Sequence, residues 1–267
     1  MQIFGLIAAL FMGLTLGLIG GGGSILTVPI LVYFFLVDPV IAVSSSLFIV
    51  GSTALVGAVL ALRRNEIEIK TGVLFFIPSF IGLTLAKLFF VPLIPETVFT
   101  LDNFIFTKPM LIMSLFAILM LVASVAVIQS KNKLVTEVKK QDTGKKRIQI
   151  SIHGFIVGIM TGFVGAGGGF LIMPALVTLV GLNIRKAVGT SLMIIAANSL
   201  YGFTISVFSG VVINWILLFS ILTVALFGLV IGTFFSKKVP EQKLKTGFGY
   251  FVLFMGLFIL LDQIKKI

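Results

Sequence analysis

Two runs of small residues, Gly20-Gly21-Gly22-Gly23-Ser24 and Gly165-Ala166-Gly167-Gly168-Gly169, hold the residue types in this chain best suited to grip a ligand with backbone. Glycine lets a backbone approach a bound group closely and take left-handed conformations. A helix starting just after such a run turns its free N–H groups and positive dipole end toward it, which favours an anion. Ser24 falls where the next helix would start and is expected to cap it. Each run is followed at the same distance by a proline, Pro29 and Pro174. A second set is made of hydroxyls. Ala42-Val43-Ser44-Ser45-Ser46-Leu47 matches Ala187-Val188-Gly189-Thr190-Ser191-Leu192. Ser45, Ser46, Thr190 and Ser191 either donate to substrate oxygens from the start of a long apolar helix or bond their own backbone and neighbouring helices. Asn198, Ser199 and Thr53 extend this set further along the same segments.

The rest of the inventory narrows the chemistry. All nine carboxylates (Asp38, Glu66, Glu68, Glu96, Asp102, Glu137, Asp142, Glu241 and Asp262) fall in loops or at segment ends, so nothing supports a buried acidic proton relay or cation site. Lys87 is the one charge well inside an apolar segment and is expected to snorkel to the outer interface, the alternative being that it attracts anions at a cavity mouth. The single histidine, His153, reads as an interfacial residue. There is no cysteine, which excludes disulfides and thiolate metal sites. No G-x-x-x-x-G-K-[ST] phosphate loop occurs. Gly22-Gly23-Ser24 continues into Ile25, not toward the further glycine that a serine nucleophile elbow requires. No cofactor is expected, and an enzyme is disfavoured.

The elements that must position these residues are membrane segments. Hydrophobic residues make up 58% of the chain and charged residues 11%, against about half and a quarter in soluble domains. Mean hydropathy is +1.22. Both glycine runs belong to an ungapped duplication with a shift of 145 residues: 16 of 45 pairs are identical between 13–57 and 158–202. Apolar segments fall at 3–19, 24–37, 40–62, 71–94 and 109–128, then at 148–164, 170–182, 187–208, 212–235 and 247–262. The second of each half is too short to span a hydrocarbon core of roughly 30 Å comfortably. The expected fold is an all-α polytopic membrane protein of about eight to ten segments, including two glycine-rich hairpins. Residues 1–130 form a first repeat, 131–147 a basic linker and 148–267 a second repeat. Met1–Ile19 is read as structure, not a cleaved leader, because it has a repeat partner and no basic start.

Loop charges set the orientation. Four places hold 16 of the 20 basic residues: the linker 131–147, Arg63-Arg64 with Lys70, Arg185-Lys186, and Lys237-Lys238 with Lys243 and Lys245. These read as cytoplasmic. Matching loops carry opposite signals: Arg63-Arg64 corresponds to the uncharged Ser209-Gly210-Val211-Val212-Ile213, and Asp38 lies where the second half has Arg185-Lys186 close by. Two upside-down halves follow, related by a pseudo-two-fold axis in the membrane plane, with the glycine runs as tips converging from opposite faces. The net charge of +11 is then a topology signal and not a nucleic-acid surface.

The stretches GLIGGGGSILTVPIL with AVSSSL, and GFVGAGGGFLIMPAL with KAVGTSL, resemble those of the TauE/SafE family of sulfite exporters and organosulfonate permeases. The resemblance covers most of the chain. It implies a duplicated multi-spanning transporter of small sulfur-containing or organic anions in the cell membrane. Ser44-Ser45 departs from the family pattern that Gly189-Thr190 follows. A gated anion channel and a purely structural membrane protein are the alternatives. The partners expected are a small anion, the lipid bilayer and a second copy of the chain. A reporter inserted within 97–108 is expected to be accessible only from outside intact cells, and cytoplasmic accessibility there would overturn the inverted topology.

Overall fold

The computed structural model describes residues 2–101, 104–129, 143–165, 167–236 and 241–265. The expected linker 131–147, up to residue 142, lies outside them, as do Ala166, Asp102, Lys237 and Lys238. Among the described residues each half contributes five helices in the same order. The first half has α1 (Gln2–Ile19), α2 (Gly22–Phe34), α3 (Pro39–Arg63), α4 (Ile69–Leu93) and α5 (Lys108–Gln129). The second has α6 (Thr143–Val164), α7 (Gly169–Ala175, continued by a wider turn Leu176–Val180), α8 (Ile184–Phe208), α9 (Trp215–Phe235) and α10 (Glu241–Lys265). Among the described residues, seven helices, α1, α3, α4, α5, α6, α8 and α9, are long and apolar enough to cross a membrane. The chain is an all-α polytopic membrane protein.

Local chemistry explains the boundaries. Asp38 and its counterpart Asn183 both act as N-caps: Asp38 Oδ1 accepts from Val40 N at 2.8 Å and Asn183 Oδ1 from Lys186 N at 2.9 Å. Pro39 at the first position of α3 suits a site whose N–H would go unused. In α2, Pro29 removes one backbone donor, and the helix widens to a π turn over Ile30–Phe34 directly after it. One element was not anticipated. Thr97–Leu101 (β1) and Phe104–Thr107 (β2) form an antiparallel hairpin, with Glu96 and Lys108 3.7 Å apart at its base.

The most extensive helix pairings are α1 with α9, α4 with α6, α3 with α8, and α5 with α10. Replacing each helix by its counterpart returns the same set. The correspondence reaches single atoms. A side chain at Gly13 would overlap the carbonyl of Ala225, and one at Gly158 that of Ser79, its counterpart after a one-residue insertion. Gly228 meets Leu10 O and Leu14 N, just as Gly82 meets Phe155 O and Ile159 N. Where lipid is as apolar as the side chains, small residues drive association by letting backbones approach. Contacts along α3 and α8 run in opposite directions: Gly57 lies on Leu192, Gly51 on Leu200, and Leu47 on Gly202. These two corresponding helices are antiparallel neighbours.

Because the obstacle at Gly13 and Gly158 is backbone, no rotamer relieves it. Gly13→Val or Gly158→Val is expected to cost about 2–3 kcal/mol or more by overpacking. The measurement is thermal unfolding of the purified protein in detergent. Gly247→Val, with no atom within 4 Å of its Cβ position, should leave the midpoint unchanged; equal losses in all three would refute this packing.

Candidate functional site

Both glycine runs begin alike. Gly20 and Gly165 adopt left-handed φ values of +86° and +72°, and their N–H groups close α1 on Leu16 O and α6 on Thr161 O, each at 2.9 Å. A left-handed residue past a helix end is where glycine is favoured. The chain then doubles back. Gly23 lies against Met12 and Leu16 and, further along, Phe34 and Phe35 lie against Gly5. Gly168 lies against Val157 and Thr161. Ser24 does not cap α2. The first turn is a tight 3₁₀ turn beginning at Gly22, which makes Ser24 its third residue. Its hydroxyl reaches back and donates to Gly21 O at 2.8 Å.

The two runs meet at the centre. A Cβ on Gly21 would overlap the carbonyl of Gly169, and one on Gly169 would stand 2.7 Å from Gly21 O. Nothing but glycine fits on either side. The hydroxyls brace this crossing. Ser46 Oγ is shared between Val43 O at 2.7 Å and Gly165 O at 2.6 Å, joining α3 to the second run. Its counterpart Ser191 donates to Val188 O at 2.8 Å and stands against Gly20. Thr190 accepts from Glu68 N at 2.9 Å, so it anchors the loop before α4. Ser45 is buried. Ser46, Ser191 and Thr190 thus hold backbone, the second of the two roles open to these hydroxyls.

Polar atoms without partners lie deeper. Asn198 donates to Ser79 Oγ at 2.6 Å while its Oδ1 has no partner. Ser199 Oγ is also unpartnered and sits against Gly167, beside Ile195 and Val50. Thr27 Oγ1 is a third. Buried polar atoms normally find a hydrogen bond, and the Ser199 hydroxyl is an exception that stands at the second glycine run. Ser79 and Thr27 left no sequence signal, because neither has a polar counterpart in the other half (Ala225 and Ile172).

A cavity of about 530 Å³ opens on the basic-loop end of the molecule. Gly17, Gly57, Leu192 and Thr233 line its depth together with Val188, which also touches Gly20. Arg64, Glu66, Asn183 and Arg185 line its mouth. The first glycine run therefore adjoins one wall of this vestibule through Val188, and Arg64 and Arg185 belong to its lining. Read as topology signals alone, Arg64 and Arg185 gave no sign of this placement. Lys186 pairs with Glu68 at 3.0 Å beside it, and the carbonyl of Glu66 presses on Gly189, leaving no room for a side chain.

Two residues behave differently from each other. His153 is exposed, with Nδ1 2.9 Å from Gln149 O, as an interfacial residue should be. Lys87 does not snorkel. It is partly buried and donates to Ser206 Oγ, because α8 presents that hydroxyl within reach. Among the described residues no group of three histidine, cysteine or carboxylate side chains could hold a metal.

Comparison with known proteins agrees with this architecture. The profile of the family described as Sulfite exporter TauE/SafE matches residues 5–259. The chain is 31% identical over 257 residues to "Probable membrane transporter protein YunE" of Bacillus subtilis (strain 168), covering 90% of this chain and 89% of that one. It is 24% identical over 251 residues to a "Probable membrane transporter protein" of Xylella fastidiosa (strain Temecula1 / ATCC 700964), covering 93% and 90%. It is 27% identical over 253 residues to "Probable membrane transporter protein YdhB" of Bacillus subtilis (strain 168), covering 93% and 96%. No solved structure matches. Duplicated glycine runs, long apolar helices and a family profile over nearly the whole length converge, and the chain belongs to the sulfite exporter TauE/SafE family of membrane transporters.

Proposed function

We propose that this membrane transporter moves a small oxyanion, such as sulfite or a sulfonate, by alternating access between two inverted repeats whose glycine tips form the central site. The observation that carries the reading is the meeting of Gly21 and Gly169, backbone against backbone, beside a vestibule lined by Arg64 and Arg185. The antiparallel run of α3 against α8 supports the inversion. Under the positive-inside rule the vestibule faces the cytoplasm, so this form is inward-open.

The chemistry favours an anion on three counts. Helix starts at both runs offer N–H groups and a positive dipole end. The Ser199 hydroxyl beside Gly167 has a proton to donate. The carboxylates that would suit a cation stay at the helix ends. Gly20, Gly21, Gly22, Gly23 and Ser24 form one wall of the proposed site, and Gly165, Gly167, Gly168 and Gly169 the other. Ser46 and Ser191 hold these walls in place. Ser45 and Thr190 act through the start of their helices, and Asn198 with Ser199 supplies polar contacts. Rocking of one repeat against the other would then expose the same crossing to either side in turn.

The test is flux in sealed vesicles. Reconstituted protein is expected to concentrate labelled sulfite or methanesulfonate against its gradient; mere equilibration would identify a channel. Gly21→Val, correctly inserted, should lower flux at least about a hundredfold, because misplacement of about 1 Å at a bound group is that costly. Wild-type flux in that variant would sink the paired-tip site.

A further inference from the structure

The vestibule has a counterpart at the opposite end of the molecule. Five of the residues lining it, Gly17, Gly57, Ala61, Leu192 and Thr233, correspond to Gly162, Gly202, Ser206, Leu47 and Lys87. The correspondence is structural as well as numerical. Gly57 touches Leu192 and Leu229, and Gly202 touches Leu47 and Leu83; Gly17 lies against the backbone of Thr233, and Gly162 near that of Lys87. One difference stands out. Thr233 and Ala61 both border open space, whereas Lys87 and Ser206 hydrogen-bond to each other.

Lys87 is also electrically alone. The ion pairs among the described residues are Lys108–Glu96 and Lys186–Glu68, and neither involves it. Its partner is a neutral hydroxyl that is 3% exposed and donates onward to Gly202 O at 3.0 Å. A cation held inside a membrane segment without a carboxylate is expensive, and such residues mark ion or substrate pathways. The guanidinium groups of the vestibule mouth have no equivalent here: Arg185 corresponds to Val40 and Arg64 to Ser209. Lys87 is the only cation in the matched set, and it sits deeper.

We propose that Lys87, latched on Ser206 in this form, is an anion-binding contact of the outer vestibule, released to a small oxyanion when that side opens. The proposal rests on the alternating-access reading above. In the inward-open form, the ammonium–hydroxyl bond closes the matched space. On outward opening α4 and α8 separate there, the bond breaks, and the incoming oxyanion takes the place of the Ser206 oxygen. No covalent step is involved. The inner mouth attracts anions with two surface arginines, while the outer side does so with one recessed lysine.

The absence of cysteine makes Ser206→Cys a single reporter. Right-side-out vesicles are treated with membrane-impermeant thiosulfonates carrying either a sulfonate or a trimethylammonium group. The anionic reagent should react about tenfold faster or more, since a focused positive field raises local anion concentration by that order. External methanesulfonate should slow it. Adding Lys87→Met should erase the preference, and Lys87→Arg should keep it, with thermal unfolding confirming that each variant folds. No labelling from outside, or a charge preference that survives Lys87→Met, overturns the proposal. A structural tether between α4 and α8 would produce either of those results. The labelling needs no net transport, so a protein that moves no anion defeats the transporter reading separately. Active uptake without charge preference at position 206 defeats the Lys87 site alone.

Discussion

The interaction on which everything else depends is the backbone contact between Gly21 and Gly169. Two chain reversals approach each other where neither can carry a side chain. Non-helical backbone within a membrane must be enclosed by protein or face a wet cavity, because lipid satisfies no hydrogen bond. Each reversal is accordingly wrapped by the other half: Gly165 by Val43 and Ser46, Gly20 by Val188 and Ser191. Neither half could expose its own glycine run to lipid without orphaning N–H and C=O groups. That mutual need ties the two repeats into one body, and it explains why the long helices pair mainly across the halves.

The same duplication permits motion. Under the proposed alternating access, the pairing of α1 on α9 as of α6 on α4 allows a second arrangement with the roles of the halves exchanged. On that reading, side chains at matched positions bias which arrangement is occupied. Thr233 with Ala61 leaves space at one end, while Lys87 with Ser206 closes it at the other. A population shift between two such states requires only that a ligand bind them unequally. The sequence differences between halves therefore matter more for mechanism than the identities that first reveal the repeat.

Much of the fold was legible because its signals are long and periodic. Segments of about twenty apolar residues locate the spanning helices to within a few residues, whereas the caps Asp38 and Asn183 emerge only from the structure. The hairpin of β1 and β2 was missed, since the fourteen residues between the segments 71–94 and 109–128 read as loop. At the site, the glycine runs announced themselves through duplication and shortness. Their hydroxyl neighbours did not declare which way they pointed. Ser24 looked like a cap because caps precede regular α turns, whereas the 3₁₀ turn starts at Gly22 and leaves Ser24 three positions past the cap residue Gly21. Lys87 looked like a snorkelling residue because periodicity carries no information about a hydroxyl on another helix 119 residues away. Arg64 and Arg185 carried a topology signal strong enough to mask their place in the cavity lining.

Selectivity in such a site would differ from that of a salt-bridging pocket. With no arginine or lysine at the crossing, the proposed guest meets backbone N–H groups, one free serine hydroxyl and helix dipoles. Each is a weak donor, and together they suit a compact anion with several oxygens. Binding must also stay weak enough for release on the other side, which a buried guanidinium would prevent by holding the ion too tightly. The arginines of the proposed site stay at the inner entrance, where screening by water lowers their grip. The chain leaves partial charges at the centre. That gradient, strong attraction outside and modest attraction within, is what a carrier needs to load and unload the same anion.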